Sequence, residues 1–438
     1  MIIRSNKEQR LARPTLLAYN YKLVHEVCMR HVLVIQLARF GDIVQSKRLL
    51  LSLAADDSTR VHFCVDATLA PLAKKLYPFV ELHTLRAHSS TAAEVFSVAA
   101  ETFAAFEKAQ FERIYLLNYS PLSFALASLF EAEQVFGYAR IHGQPMRGPW
   151  ALITFNLMHD RRFAPLNLVD LWAHLHSKPL GPEKVNPIPR SPGSQRIGIV
   201  MAGRESRRSL PPAVLATCVQ AVFQARGGPE LVCIGSSNER PLVRRLAREL
   251  SGPAAGKIED RTGQTTLTDL PDLMRELDMV ITPDTGAMHL AAHLGVPVQA
   301  FFLSSAWCFE TGPYGFGHKI WQSIEPCSPC HESTPCPRRL ECLTPFSDRG
   351  FLAHLGGKYS PGWPEGLLGC ASSLDELGAV CKVVDGEDMY ADGRRELRNG
   401  LKEYLRLTVS DAAPPFMSQD LAEYLYREKD WMLPPNWR

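Results

Sequence analysis

Short apolar runs recur along this chain, and segments of helical periodicity separate them. In the first half these runs are His31-Val-Leu-Val-Ile-Gln36, Val61-His-Phe-Cys-Val65, Arg113-Ile-Tyr-Leu-Leu117 and Gln134-Val-Phe136, with helical patterns reaching about Ala54, then over 68–76 and 122–131. The stretch from Leu180 to Ser194 is broken by proline and glycine. The alternation then restarts with strands at Arg196–Val200, Glu230–Ile234, Met279–Ile281 and Val298–Phe302, and helices near 211–225, 239–250, 267–276 and 286–294. Strand followed by helix, repeated, predicts parallel sheets covered on both faces. The division is therefore an extension over 1–28, one αβ unit over 29–180, a linker over 181–194 and a second αβ unit over 195–343. Beyond it, 344–438 reads as helical and irregular, with helices over 373–382 and 392–406. Two open sheets facing each other leave a cleft at the carboxyl ends of their strands, where ligands bind in such folds.

The most informative segment is Ile281-Thr-Pro-Asp-Thr-Gly-Ala-Met-His289. A strand breaks at Pro283, Asp284 and Thr285 start a helix, and Gly295 with Pro297 ends it. A helix start at a strand's carboxyl end presents free N–H groups to an anion such as a diphosphate. Gly286 permits close approach to the backbone there, and His289 shares a helix face with Thr285. Asp42 ends the turn after the first strand. It suits either an N-cap with Gln45 three residues on, or a general base aimed at an acceptor hydroxyl. The two roles compete, because two helix N–H groups would lower its pKa. In Met201-Ala-Gly-Arg-Glu-Ser-Arg-Arg208, the residues Arg204, Arg207 and Arg208 offer guanidinium forks that match phosphate oxygens. Glu239, after a Gly-Ser-Ser turn, could meet a ribose.

Composition narrows the field. A hydrophobic content of 46% indicates a folded chain, and a net charge of only +2 gives no general nucleic-acid binder. No apolar stretch reaches bilayer-spanning length, and the N-terminus has no signal-peptide pattern, so a cytoplasmic location is expected. The eleven cysteines are odd in number and mostly scattered, which favours a reducing compartment. Four of them, Cys327, Cys330, Cys336 and Cys342, have spacing that suits a structural zinc or iron. The chain has no GxGxxG, Walker A or HExxH motif and no Asp-x-Asp at a strand end. Arginines and helix dipoles would serve a diphosphate without a catalytic metal.

Together, Val32-Leu-Val-Ile-Gln-Leu-Ala-Arg-Phe-Gly-Asp-Ile-Val44 and Asp284-Thr-Gly-Ala-Met-His-Leu-Ala-Ala292 resemble glycosyltransferase family 9, the ADP-heptose:lipopolysaccharide heptosyltransferases. Thr262-Gly263, the Gly312-Pro-Tyr-Gly315 turn and the Cys-Ser-Pro-Cys segment add to the likeness. The resemblance implies a GT-B fold, an α/β architecture of two facing Rossmann-like domains, the first for the acceptor and the second for the nucleotide-sugar donor. It implies Asp42 as general base. It also implies Asp284, Thr285, Gly286, His289, Arg208 and Glu239 as donor contacts, with Arg204 beside them. The chain departs from the family in having Ser209-Leu210 after Arg208, and Lys47-Arg48 where the family has proline. The second departure implies an altered acceptor mouth, with Arg39, Lys47 and Arg48 suited to an acidic glycan. Lys47, Arg48, Arg140 and Arg147 would also serve peripheral contact with the inner face of a membrane. The expected activity is inverting transfer of heptose from ADP-heptose to a lipopolysaccharide core or related surface glycan. The alternatives are another nucleotide sugar, a protein acceptor, or a non-catalytic nucleotide-sugar-binding scaffold; a sugar-nucleotide epimerase is the most distant.

Overall fold

The computed structural model describes residues 29–88, 91–141, 144–146, 148–157, 159–191, 193, 195–201, 206–331, 335–358 and 362–407. Five strands form the first sheet: β1 (Arg30–Gln36), β2 (Thr59–Asp66), β3 (Glu81–Leu85), β4 (Arg113–Leu116) and β5 (Val135–Gly137), in the order β3-β2-β1-β4-β5. All its pairings are parallel. Leu33, Val34 and Ile35 at its centre are fully buried, as an apolar run in a sheet covered on both faces must be. A small hairpin follows, β6 (Ala139–Ile141) with β7 (Gln144–Met146).

The second sheet has eight strands. These are β8 (Arg196–Val200), β9 (Glu230–Ile234), β10 (Ile258–Asp260), β11 (Met279–Pro283), β12 (Val298–Phe302), β13 (Lys319–Ser323), β14 (Leu367–Leu374) and β15 (Ala379–Asp385). Their order is β10-β9-β8-β11-β12-β13-β14-β15, parallel as far as β13 and antiparallel beyond it. In each sheet the strand order reverses beside the first strand, and such a switch point opens a crevice at the strands' carboxyl ends.

The sequence reading of the C-terminal region needs correction. Residues 373–382 are not a helix; they belong to the β14–β15 hairpin, turned by Asp375, whose Oδ1 accepts the N–H groups of Leu377 and Gly378. The helix expected over 392–406 spans Ala391–Tyr404. It packs back on the first lobe, where Leu401 joins the core with Leu397 and Leu405 against it. The tail thus widens one sheet and straps the other.

Arg48 lies at the joint between the lobes. Its Nη1 donates to Asp170 Oδ1 (2.6 Å) and to the Leu377 carbonyl (2.9 Å), and its Nε to the Leu180 carbonyl (2.9 Å). Asp170 also accepts from Tyr314 Oη (2.7 Å) and from the Ala379 N–H (2.7 Å). Both ions are buried, at 1% and 0% exposure. A Cβ on Gly378 would fall 2.0 Å from Asp170 Cγ, so only glycine lets the β14–β15 turn reach this carboxylate. The acceptor and membrane roles expected for Arg48 are therefore corrected: the side chain is buried, with Nε and Nη1 bonded inside the protein.

Removing one member of a buried ion pair strands the other charge, typically at a cost of about 3–5 kcal/mol. Arg48→Met is accordingly expected to lower unfolding stability by about that amount in urea titrations. A loss below ~1 kcal/mol, the range of a solvent-exposed pair, would contradict this reading.

Candidate functional site

Two short helices meet across the lobes. The front helix, Phe40–Gln45, follows β1, and the rear helix, Gly286–His293, follows β11. Each carries a glycine in its first turn at the crossing. A Cβ on Gly41 would lie 3.2 Å from His289 Cδ2 and 3.4 Å from Gly286 Cα, and one on Gly286 would lie 2.4 Å from the Phe40 ring. The close approach expected at Gly286 is therefore made by Phe40 of the other lobe, which packs against both hydrophobic cores. Gln45 Nε2 and His289 Nε2 complete the contact at 2.8 Å.

Asp42 sits in the third position of the front helix, not at its cap. Arg39 is the N-cap residue, and the Asp42 carboxylate reaches back to accept its N–H (3.0 Å). The capping box expected between Asp42 and Gln45 does not form, because Gln45 turns to His289. With one backbone donor instead of two, the carboxyl is not pulled down. Burial and the neighbouring Asp284 carboxylate push it up to about 6.

Asp284 directly follows β11 and is 7% exposed. Its Oδ2 accepts from Arg208 Nη2 (2.5 Å) and Thr311 Oγ1 (3.0 Å), and His289 Nε2 lies 3.8 Å from its Oδ1. Thr285 is the N-cap of the rear helix, its hydroxyl accepting the Met288 N–H (3.4 Å), as expected from the sequence. Burial brings His289 down to about 4, so its ring is neutral at physiological pH. Glu239 lies after β9 in a capping box with Ser236, away from these groups. Arg204 lies outside the described residues. Arg207 donates to the His331 carbonyl (2.9 Å).

A cleft of about 1360 Å³ opens between the lobes. Arg208, Asp284, Ser305, Glu310 and Thr311 line its rear wall, and Leu37, Ala38, Arg39, His88, Asn118 and Tyr119 its front wall. Asp42 does not itself line the cavity; it is half-buried behind the lining residue Arg39, close enough to Asp284 for the two carboxylates to repel. Deeper on the front side, Tyr119, Tyr138, Phe155 and Trp172 give an aromatic face, with Tyr119 stacked on Phe155 at 5.4 Å. Across the cleft Arg161 grips buried Glu310, Nε to Oε2 at 2.8 Å. Burial raises the Glu310 carboxyl and the Arg161 charge opposes that rise.

Several of these residues were not singled out from sequence. Asn118 and Tyr119 follow β4, the neighbour of β1 at the switch point, and that position could have signalled them. Arg161 and Glu310 carry no local signal, being 149 residues apart. Lys47 does not face the cleft either. Its Nζ bonds Asn186 Oδ1 (3.0 Å), and burial lowers it to about 8. The acidic-glycan mouth and membrane contact expected of Lys47 and Arg48 are thereby corrected; Arg147 and the side chain of Arg140 lie outside the described residues.

The cysteine cluster is nearer the cleft than its sequence position implied. Cys330 lines the cavity beside His331. Its N–H donates to the Ser304 carbonyl (2.9 Å). Burial raises the Cys342 thiol to about 11, and its other influences include the fields of Cys330, Cys336 and Cys327. The four thiols share one neighbourhood, but no three of their sulfurs lie within 4.8 Å of one another, so they are not drawn together as metal ligands in this structure. Among the described residues no helix is long and apolar enough to cross a membrane.

Residues 219–338 match the profile of glycosyltransferase family 9 (heptosyltransferase). No curated protein sequence matches the chain. Among solved structures, the glycosyl transferase family 9 protein of Veillonella parvula is similar at 17% identity and TM-score 0.53, covering 68% of this chain and 88% of that one. ADP-heptose lps heptosyltransferase II of E. coli is similar at 19% identity and TM-score 0.46, covering 65% and 88%. The iron-containing dodecameric glycosyltransferase TibC of enterotoxigenic E. coli stands at 12% identity and TM-score 0.42, covering 75% of each chain. The fold is GT-B, with two Rossmann-like domains.

The raised Asp42 pKa carries a stability consequence. A carboxyl near 6 when folded and 3.8 when unfolded costs nothing below about pH 4; the cost builds between about 4 and 6 and is fully present above about 6. Two pH units correspond to about 3 kcal/mol, reduced to about 1–3 for a partly exposed group. Asp42→Asn should therefore stabilise the protein by about that amount at pH 7.5. The gain should vanish at pH 4, as read from urea midpoints. Equal stability at both pH values, or a loss at pH 7.5, would contradict the raised pKa.

Proposed function

We propose that this chain, whose residues 219–338 match the profile of glycosyltransferase family 9, is a glycosyltransferase that transfers heptose from ADP-heptose to an acceptor hydroxyl with inversion. The observation that supports this reading is that Asp42 of one lobe lies close enough to Asp284, the partner of Arg208 on the cleft wall of the other lobe, for the two carboxylates to repel. In the proposed step Asp42 takes the acceptor's hydroxyl proton. The acceptor oxygen bonds the anomeric carbon as the bond from that carbon to the diphosphate oxygen breaks on the opposite face. ADP leaves with the electron pair. Arg208 and the N–H groups at the start of the rear helix stabilise its growing charge, usually the largest contribution to such a rate. Asp284 is a poor partner for a diphosphate, since like charges repel. It serves instead to hold Arg208 in place and to meet hydroxyls of the sugar. Neutral His289 and the Thr285 cap fix the rear helix against Gln45 of the front helix. Glu239 remains a candidate for the ribose. The cysteine cluster, when loaded with zinc or iron, would brace the loop that puts Cys330 on the cleft wall, a structural role outside the transfer step.

A surface glycan is the first acceptor to test. A polypeptide hydroxyl is favoured as a second by the aromatic wall of Tyr119, Tyr138, Phe155 and Trp172, because Lys47 and Arg48 are engaged elsewhere and, of the three basic residues expected at the mouth, Arg39 alone lines the cleft.

The assay pairs ADP-heptose, and other nucleotide sugars in parallel, with a heptose-deficient core oligosaccharide or a serine-rich polypeptide. Asp42→Asn is expected to lower kcat by roughly 10²–10⁴-fold, as for loss of an acid–base group, with donor Kd within about twofold. Because Asp42 must be ionised to act, kcat/KM should rise with pH through about 6. Near-normal turnover in the variant, or a flat profile from pH 5 to 7.5, would return Asp42 to a structural role. Donor binding without consumption with any acceptor would favour the scaffold.

A further inference from the structure

A second group of thiols lies apart from the cluster at 327–342. Cys308 opens the short helix Cys308–Thr311, and its N–H donates to Gln322 Oε1 on β13 (2.9 Å). Cys370 lies on β14 and Cys381 on β15. In the hairpin register Cys370 faces Val383 and Ser372 faces Cys381, so the two cysteines share one face of the sheet, the face the Cys308 helix covers. All three sulfurs lie within 4.8 Å of one another, with Cys381 and Cys308 at 3.3 Å, and none is in a disulfide. Cys308 and Cys370 are buried at 2% and 4% exposure.

We propose that Cys308, Cys370 and Cys381 form a three-thiolate site for a thiophilic d10 cation, zinc or cuprous copper, that ties the C-terminal hairpin to the donor lobe. Geometry is the first support. A metal–sulfur bond of about 2.3 Å requires sulfurs roughly 3.8–4.0 Å apart, so this trio needs shifts of under about an ångström. Forming a disulfide at ~2.05 Å would need a closure of more than an ångström. Donor type is the second support, since thiolates select zinc and cuprous ions over harder cations.

The third support is Arg394, on the helix Ala391–Tyr404. This guanidinium is 9% exposed, lies over the Phe309 ring beside Cys308 (3.3 Å to the centroid), and bonds Asp388 (2.6 Å) and the Arg162 carbonyl (2.9 Å). Its Nε is buried with no hydrogen-bond partner, an orphan donor of the kind buried sites rarely leave. A guanidinium there offsets part of the negative charge that three thiolates leave over a monovalent or divalent cation.

The test uses the full chain, stripped of metal under reducing, anaerobic conditions and reloaded with zinc or cuprous ion in separate arms. Bound metal per chain is compared for wild type, Cys370→Ser, Cys381→Ser and the double variant Cys327→Ser/Cys330→Ser. The 370 and 381 variants should each lose about one equivalent of zinc or copper that the double variant retains. In wild type, zinc should also block alkylation of Cys381 and a chelator should restore it, a reading that survives if a serine variant fails to fold. Unchanged occupancy in the 370 and 381 variants, alkylation insensitive to zinc, or a mapped Cys308–Cys381 disulfide in the isolated protein would overturn the proposal.

Discussion

The site depends on the crossing of two short helices that belong to different lobes. Gly41 and Gly286 remove the side chains that would hold the front and rear helices apart, and Phe40 fills the space against Gly286. At that distance the carboxylates of Asp42 and Asp284 feel each other, and the Gln45–His289 hydrogen bond can form. A bulkier residue at either glycine would push the helices apart and dissolve the electrostatic coupling with them. The raised Asp42 pKa is therefore a property of the joint between two domains, not of the turn that carries Asp42.

Around this crossing the protein places its ions where water is scarce. Arg48–Asp170 locks the hinge side, Arg161–Glu310 spans the cleft, and Arg208–Asp284 lies at its base. Each pairs a charge from one segment with a charge distant in sequence. Two of the three join the front lobe to later segments: Arg161 to Glu310, and Arg48 with Asp170 to Tyr314 and Ala379. The C-terminal tail takes part as well, since the β14–β15 turn donates to Asp170 and the Ala391–Tyr404 helix closes over the first lobe. Residues beyond 343 are thus part of the same architecture.

Legibility from sequence followed the range of the interactions. Eight strands of the two sheets and the rear helix were readable because alternation, the Thr285 cap and Gly295 are local signals; β3, β10, β13, β14 and β15 were not read. The tail was misread at 373–382 because apolar positions on both sides of Asp375-Glu-Leu-Gly378 mimic a helical period; the Asx turn that separates two strands went unrecognised. Arg48 and Lys47 looked like solvent-facing cations, since their partners lie 122 and 139 residues away. The cap offered to Asp42 on spacing belongs to Arg39, because the Asp42 carboxylate sits in the helix and reaches back to the Arg39 N–H. The Cys308, Cys370 and Cys381 group was invisible for the same reason, its members coming from three separate elements.

The central claim is that one cleft presents an acceptor-side carboxylate and a donor-side anion pocket to the same sugar. A crystal structure of the protein with ADP tests this most directly. The account predicts the diphosphate against Arg208 and the N–H groups at the start of the Gly286–His293 helix, with Asp42 facing the terminal phosphate across a gap the size of one sugar ring. ADP bound in another cavity, or at Arg208 with Asp42 turned away into solvent, would contradict it.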